Sequence, residues 1–413
     1  MLPTDFKKGL IVMNKLSKPP VIIFVTFVVT SALYLGAYMF VPMFSNALSN
    51  TASLITPSAT TDFNKKMREI DNIIDNYFIT DPDKKTLETK AARAYVAALG
   101  DEYTEYYTPA EYEELNADIS GNYKGIGVEV TVTEDNLITV ITAYDGSPAQ
   151  KGGIKGGDKL IKVNGIDING DNYSEAINMM RGVGKYGESD EMTLTVKRDT
   201  TTFDTKVVRE KVEAQTVRGE IIEGSIGYIK LTQFATESAK AFELELNRLK
   251  SQGAKSLIID LRNNPGGMLT SVVEIADLLL PEGKILTIKG KNGPENEYMS
   301  SKGEVDMPMC VLVNGMSASA SEVLAGALKD HKKATIIGEK TYGKGVVQSI
   351  FELDDNSALK ITTSKYYTPS GKCLDKKGIK PDIEVKMELD KNLGLYELDE
   401  DIQLKRAIEE LQK

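Results

Sequence analysis

The sequence is short of the residues that many hydrolytic sites are built from. In 413 residues there is one histidine, His331, and there are two cysteines, Cys310 and Cys373. A Ser-His or Cys-His mechanism must use His331 or none. That histidine sits in the polar stretch Lys329-Asp330-His331-Lys332-Lys333, with Asp330 its one evident carboxylate neighbour, and reads as a solvated turn residue. Two cysteines cannot make a disulfide framework. One bridge between them is open, but two inert thiols in apolar strands is the favoured reading. There is no CxxC and no Cys/His cluster, so nothing points to a metal. Positive charge is not in excess: 50 basic residues against 60 acidic ones give −10, which argues against a nucleic-acid partner.

Charge is also missing from the N-terminal part, where its absence is informative. Residues 21–41 are an apolar run of 21 without a charge, long enough to cross a bilayer as a helix. Lys7, Lys8, Lys15 and Lys18 precede it with only Asp5 opposing, and the next charge is Asp62. The positive-inside rule places residues 1–20 in the cytoplasm and the rest outside the cell membrane. A cleaved signal peptide is disfavoured, because the run exceeds the usual apolar region of one and no small-x-small site closely follows it. Residues 43–61, rich in Ser, Thr, Asn and Ala, read as a linker.

Beyond the linker, Phe63, Met67, Ile70, Ile74 and Tyr77 recur at helical spacing, and a second helical pattern runs from Leu87 to Leu99 with Gly100 as its stop. Two helices cannot hold a core, so they are expected to pack on another domain or on a partner subunit. A homodimer through the terminal helices is one such arrangement. From residue 118 to 200 short strands (Val128–Val130, Ile138–Ile141, Leu160–Val163, Thr193–Lys197), glycine turns and one main helix near 173–180 make a small β-rich module. After 215 strand and helix alternate: strands at 226–229, 256–261, 310–313 and 334–337, helices at 237–250, 269–280 and 320–329. That order predicts a multi-domain α/β protein with crossover units and a buried sheet. Leu404, Ile408 and Leu411 mark a terminal amphipathic helix.

Three segments could carry chemistry. Asn314-Gly315-Met316-Ser317-Ala318-Ser319-Ala320-Ser321-Glu322 lies where a buried strand gives way to a helix, a junction that exposes a nucleophile beside free N–H groups. Taken alone, Ser319 and Glu322 read as a capping box. Gly343-Lys344-Gly345 holds a lysine between glycines. A solvated loop residue is the bland reading, but a buried lysine can lose its proton. Lowering its pKa from ~10.4 to ~7 costs roughly 4–5 kcal/mol, which desolvation and a neutral partner such as Gln348 would meet. In Asn263-Asn264-Pro265-Gly266-Gly267, glycines after a strand either expose N–H groups as an oxyanion hole or simply turn the chain.

Together these segments resemble the carboxyl-terminal processing (tail-specific) protease family over residues 62–413. The resemblance rests on four blocks: Gly125-Ile126-Gly127-Val128 with Ser147-Pro148-Ala149 and Gly156-Gly157-Asp158; Asp260 to Gly267; Ser317 to Glu322; and Gly343-Lys344-Gly345 with Gln348. The family's serine and lysine lie 25 positions apart and its glutamine four further on. That spacing implies Ser319 as nucleophile, Lys344 as general base and Gln348 as support. The resemblance also implies an oxyanion hole from the backbone of Ala320 and of Gly266 or Gly267, and no metal or cofactor. It implies a PDZ domain whose Gly125, Ile126, Gly127 and Val128 receive the apolar C-terminus of a protein or peptide substrate, and a crotonase-like α/β core. Arg181, after the PDZ helix, reads either as a solvated helix-end charge or as a regulatory contact. The expected division is a cytoplasmic stub (1–20), anchor (21–42), linker (43–61), helical region (62–117), PDZ domain (118–200), protease core (201–390) and helical tail (391–413). A catalytically silent PDZ scaffold is the competing reading, against which the intact Ser319, Lys344 and Gln348 stand.

Overall fold

A computed structural model describes residues 60–133, 135–183, 186–291, 293, 295–301, 303, 305–387 and 401–413. The expected anchor lies outside them; among the described residues no helix is long and apolar enough to cross a membrane. The chain divides after Leu87 into two units. The first contains α1 (Thr60–Tyr77), with Phe63, Met67 and Ile70 exposed, and the start of α2 (Lys84–Ala97). Lys84 pairs there with Asp71 and Asp75 at 2.7 and 2.5 Å.

In the second unit the rest of α2 is followed by β1 (Glu105–Tyr107) and α3 (Pro109–Ser120). Thr108 caps α3 with the reciprocal Thr108–Glu111 pair, and Gly121, in the left-handed region, ends it. The sequence predicts a helical region over 62–117, with helical patterns ending at Tyr77 and at Gly100, and a strand within it, β1, is the difference. Three residues carry no period, and their partner strand lies some 250 residues away, with Glu105 opposite Lys360.

The short β2 (Asn122–Gly125) leads into the β-rich module: β3 (Val128–Val132), β4 (Ile138–Ala143), α4 (Pro148–Lys151), β5 (Lys159–Val163), β6 (Ile166–Asp167), α5 (Tyr173–Arg181), β7 (Glu191–Arg198) and β8 (Thr201–Val208). Its sheet runs β3-β4-β5-β7-β8, with β6 on β5. The inward residues Ile138, Val140, Leu160, Leu194 and Val196, all fully buried, pack with Met179 and Met180 of α5. β9 (Glu210–Glu213) returns beside β2.

The α/β core follows: β10 (Val217–Ile222), β11 (Ile226–Leu231), α6 (Ser238–Ser251), β12 (Ser256–Asp260), α7 (Leu269–Leu279), β13 (Gly283–Gly290), β14 (Asn296–Ser300), β15 (Met309–Val313), α8 (Ala320–Asp330), β16 (Thr335–Gly338), β17 (Val346–Glu352), β18 (Ala358–Tyr367), β19 (Ile383–Glu384) and α9 (Ile402–Leu411). One sheet has the order β10-β11-β12-β15-β16-β19 and is parallel from β11 onward. Alternation along the strands sorts its two faces. Leu257, Ile259, Val311 and Val313 face α6, α7 and α8, whereas Ile258, Cys310 and Leu312 face Leu404 and Ala407 of α9. A strand buried on both faces reads as a continuous apolar run, which is why β12 and β15 stand out in the sequence. The second sheet runs β1-β18-β13-β14, with β17 also on β18. The C-terminal helix thus covers its own chain's sheet.

Candidate active site

The first piece is an elbow between β15 and α8. Ser319 adopts φ 53° and ψ −113°, a backbone conformation that a side chain disfavours and that recurs where strain serves a site. Its exposure sets it apart from the two serines on either side. Ser317 and Ser321 are wholly buried. Their hydroxyls are spent on the loop beneath: Ser317 donates to the Leu261 carbonyl (2.8 Å) and Ser321 to the Asn264 carbonyl (2.9 Å). Ser319 alone is half-exposed at the start of α8.

Lys344 comes from the loop between β16 of one sheet and β17 of the other. One side chain joins it to the elbow: the fully buried carboxylate of Glu322, in the first turn of α8. Glu322 Oε2 accepts the N–H of Ser319 (3.0 Å) and of Lys344 (2.8 Å), while Oε1 accepts the Gly343 N–H (2.8 Å) and the Thr341 hydroxyl (2.6 Å). Burial pushes the Glu322 carboxyl up, and those hydrogen bonds pull against it. The capping-box reading of Ser319 and Glu322 therefore holds for the Glu322-to-Ser319 bond but covers only one of four bonds. A second clasp is Tyr366 of β18, whose buried hydroxyl lies against the carbonyl oxygens of Ser319 (3.2 Å) and Lys344.

The Lys344 ammonium lies 4.7 Å from the centre of the Tyr103 ring. Among the described residues it has no carboxylate within ion-pair distance. Its pKa is lowered, first by burial and then by the like charge of Lys360, against the carboxylates of Asp101 and Glu102. Gln348, on β17, sends its amide nitrogen to Thr362 Oγ1 at 3.4 Å and forms no hydrogen bond to Lys344. Ser319 and Lys344 are brought together through their backbones. A direct Oγ–Nζ hydrogen bond is absent, as is common before substrate binds.

The third piece is the loop from β12 to α7. Asn264 organises it: its amide donates to the Leu231 carbonyl (2.9 Å), its side-chain oxygen accepts the Gly266 N–H (2.9 Å), and its own carbonyl accepts the Ala318 N–H (3.1 Å). Gly266 (φ 108°) abuts the elbow so closely that a Cβ there would stand 2.9 Å from both the Ala318 carbonyl and Ser319 Cβ. Gly267 (φ 142°) is pinned by bonds on either side, Phe234 N–H to the Gly266 carbonyl (2.9 Å) and Met268 N–H to the Phe234 carbonyl (2.7 Å). The Gly266 N–H is thus occupied. Those of Gly267 and Ala320 have no acceptor among the described residues.

In the β-rich module a groove of about 460 Å³ lies between β3 and α5, lined by Ile126, Val128, Tyr173, Ile177 and Met180. Gly125, Gly127 and Pro265, the residue before Gly266, line the same groove. Among the described strands β3 pairs with β4 alone, so an added strand has backbone partners available on its other edge. Arg181 borders the groove, paired with Asp118 at 2.6 Å and stacked 4.8 Å from the Tyr123 ring centre. His331 is remote, at the far end of α8, its Nε2 against the Lys284 carbonyl (2.7 Å). Among the described residues no group of acidic, histidine or cysteine side chains could hold a metal. Sequence reasoning missed the clasping roles of Glu322 and Tyr366 and the ring of Tyr103. The Ser-x-x-Glu spacing was the one available signal, and it pointed to Glu322 only as a cap.

Two family models match the chain: peptidase family S41 over residues 225–385 and the PDZ domain over residues 116–197. The chain is 35% identical over 332 residues to a carboxy-terminal-processing protease of Bartonella bacilliformis, covering 78% of this chain and 74% of that one. It is 34% identical over 367 residues to a probable CtpA-like serine protease of Staphylococcus aureus, covering 87% and 71%. A putative S41 protease from Bacteroides fragilis has a similar fold, with a TM-score of 0.57 at 18% identity over 81% of this chain and 92% of the other.

Proposed function

The chain belongs to peptidase family S41, the serine peptidases that include the carboxy-terminal-processing proteases, and from that premise we propose that Ser319 is its nucleophile and Lys344 its general base. The observation that carries this reading is the Glu322 carboxylate, which holds the backbone N–H of both residues on one buried oxygen. Burial without an ion-pair partner favours the neutral amine that a base requires. Neutral Lys344 takes the proton of the Ser319 hydroxyl as its oxygen attacks the scissile carbonyl. The resulting oxyanion is received by the N–H groups of Ala320 and Gly267; the engagement of the Gly266 N–H with Asn264 favours Gly267 as the second donor. Lys344 then gives its proton to the leaving amine, and water releases the acyl group. Gln348 acts, on this reading, by holding the hairpin that follows Lys344, through Thr362.

The PDZ groove supplies recognition. An apolar C-terminal side chain suits a pocket of Ile126, Ile177 and Met180, its carboxylate meets N–H groups of the Gly125–Val128 turn, and its backbone extends β3. Arg181 is read as the regulatory contact at the groove's edge. Crossover units such as β11-α6-β12 and β15-α8-β16 support a crotonase-like core. Residues 21–41 are read as a single-pass anchor that leaves the peptidase outside the cytoplasm, and α1, with its exposed apolar residues, as the element open to homodimer contact. The test is degradation of an unfolded reporter with an apolar C-terminus. Ser319→Ala abolishes turnover and leaves the melting temperature near wild type. Lys344→Arg is as inactive as Lys344→Ala, because arginine keeps its proton. His331→Ala is near wild type. Turnover by Ser319→Ala would remove the nucleophile, and an active Lys344→Arg would remove the base.

A further inference from the structure

The loop that bears Gly266 and Gly267 grows from Arg262, and Arg262 points away from the active site. Asp260 ends β12 on the face that carries Ile258, the face covered by α9, and Arg262 follows two residues on with its side chain against Asp401 and Gln403 of that helix's start. Arg262 is 3% exposed and all five N–H donors of its guanidinium are matched. Nε and one Nη2 hydrogen go to Asp260 (3.0 and 2.8 Å). The other Nη2 hydrogen and one on Nη1 go to the two oxygens of Asp401 (2.7 and 2.9 Å), and the last goes to Gln403 Oε1 (3.1 Å). Three of the five acceptors thus come from the start of the C-terminal helix, across more than 130 residues of sequence. The backbone of Arg262 is fixed as well: its N–H donates to Asp260 (2.9 Å) and its carbonyl accepts from Lys230 (2.9 Å). On the other side of the loop, Asn263 N–H donates to Asn314 Oδ1 (3.0 Å), the residue that begins the Ser319 elbow.

We infer that Asp401 is a positioning residue for the oxyanion loop: the C-terminal helix, through Asp401 and Gln403, holds Arg262 and so fixes the height of Gly267 relative to Ser319. The inference rests on the oxyanion role proposed above. A buried guanidinium deprived of acceptors must move toward others; Arg262 cannot move without dragging the root of the loop. Displacement of a catalytic donor by about 1 Å is enough to slow a reaction ~10²-fold. Helix α9 also packs Leu404 and Ala407 against the sheet, so a purely structural role is the alternative to separate.

Asp401→Asn separates them. Asparagine is as good a helix cap as aspartate, so the bond now made by the Leu404 N–H (2.9 Å) is kept, while one acceptor and the charge facing Arg262 are lost. Leu404→Ala is the counterpart, removing apolar packing and leaving the ionic contact. In the full-length chain, assayed well below the melting temperature of each variant, Asp401→Asn lowers kcat tenfold or more with KM within twofold of wild type. Leu404→Ala lowers the melting temperature at least as much and keeps kcat within twofold. Wild-type kcat in Asp401→Asn, or equal losses of kcat in the two variants, overturns the inference. Should Asp401→Asn not fold, Gln403→Leu removes one acceptor of the three and lowers kcat about threefold at unchanged KM; an unchanged kcat there is equally fatal. Ser319→Ala is run beside them. If it is inactive and Asp401→Asn is wild type, the positioning role alone falls; if Ser319→Ala is active, the reading of the site falls and the inference with it.

Discussion

A lysine acts as a general base only when neutral, and the groups around Lys344 pull both ways. Burial lowers its pKa most, Lys360 adds to that, and Asp101 and Glu102 oppose it. A lowered value means a larger neutral fraction at any given pH. Turnover should therefore rise with pH along a one-proton limb whose midpoint lies below the ordinary lysine value of about 10.4. Lys360→Gln removes a like charge and moves that limb to higher pH. Asp101→Asn removes an attraction for the charged form and moves it to lower pH. Profiles of kcat/KM for the three proteins check this, and coincident or reversed limbs would take the base role from Lys344. Little of this balance was legible in the sequence. The 25-residue interval marks the pair only by resemblance. Asp101 lies beyond 240 residues of intervening chain, and Lys360 on a strand with no clear alternation. Glu322 was visible as a cap because its Ser319 bond is local, but Thr341, Gly343 and Lys344 are 19 to 22 residues away.

At the scale of elements, the site is a strand-loop-helix unit wedged against a strand-elbow-helix unit, and two glycines set their separation. A Cβ on Gly267 would stand 2.2 Å from the Phe234 carbonyl oxygen, a backbone atom that cannot swing aside, at a φ of 142° that side chains rarely adopt. Gly267→Ala must therefore lift the loop from Phe234, breaking the bonds that flank position 267. Strain and overpacking together cost roughly 3 kcal/mol, and a displaced oxyanion donor costs ~10²-fold in kcat. Melting curves and turnover measured together test this, and turnover within threefold of wild type would sink it. The parts of these units that were readable share one physical property, burial on both faces. β12 and β15 are buried at every position and announce themselves as apolar runs. β17 and β18, half-buried along most of their length, gave no period, although they position Gln348 and Tyr366.

For the whole molecule the question is how a peptide in the PDZ groove reaches the active site. Contacts already join the two. Arg218 of β10 pairs with Glu129 of β3 at 3.2 Å, Gln233 donates to the Asp118 carbonyl at 3.0 Å, and Asp118 holds Arg181 at 2.6 Å. Pro265, in the loop of Gly266 and Gly267, forms part of the groove wall. Glu129, Tyr123, Asp118 and Arg181 all line the groove proposed to receive the peptide, so on that reading a strand added beside β3 alters the surroundings of these contacts. A ligand shifts a conformational equilibrium only by its differential contacts with the two states, and Arg181 is placed to make one, between the groove and the Asp118–Gln233 link to the core. Arg181→Ala should leave the affinity for an apolar C-terminal peptide within threefold of wild type and cut the stimulation of turnover by that peptide about tenfold. Peptide affinity by fluorescence anisotropy and turnover of a short, untethered reporter, with and without peptide, measure the two separately. Equal stimulation of mutant and wild type would make Arg181 a helix-end charge paired with Asp118, and would return the PDZ module to tethering substrates near Ser319.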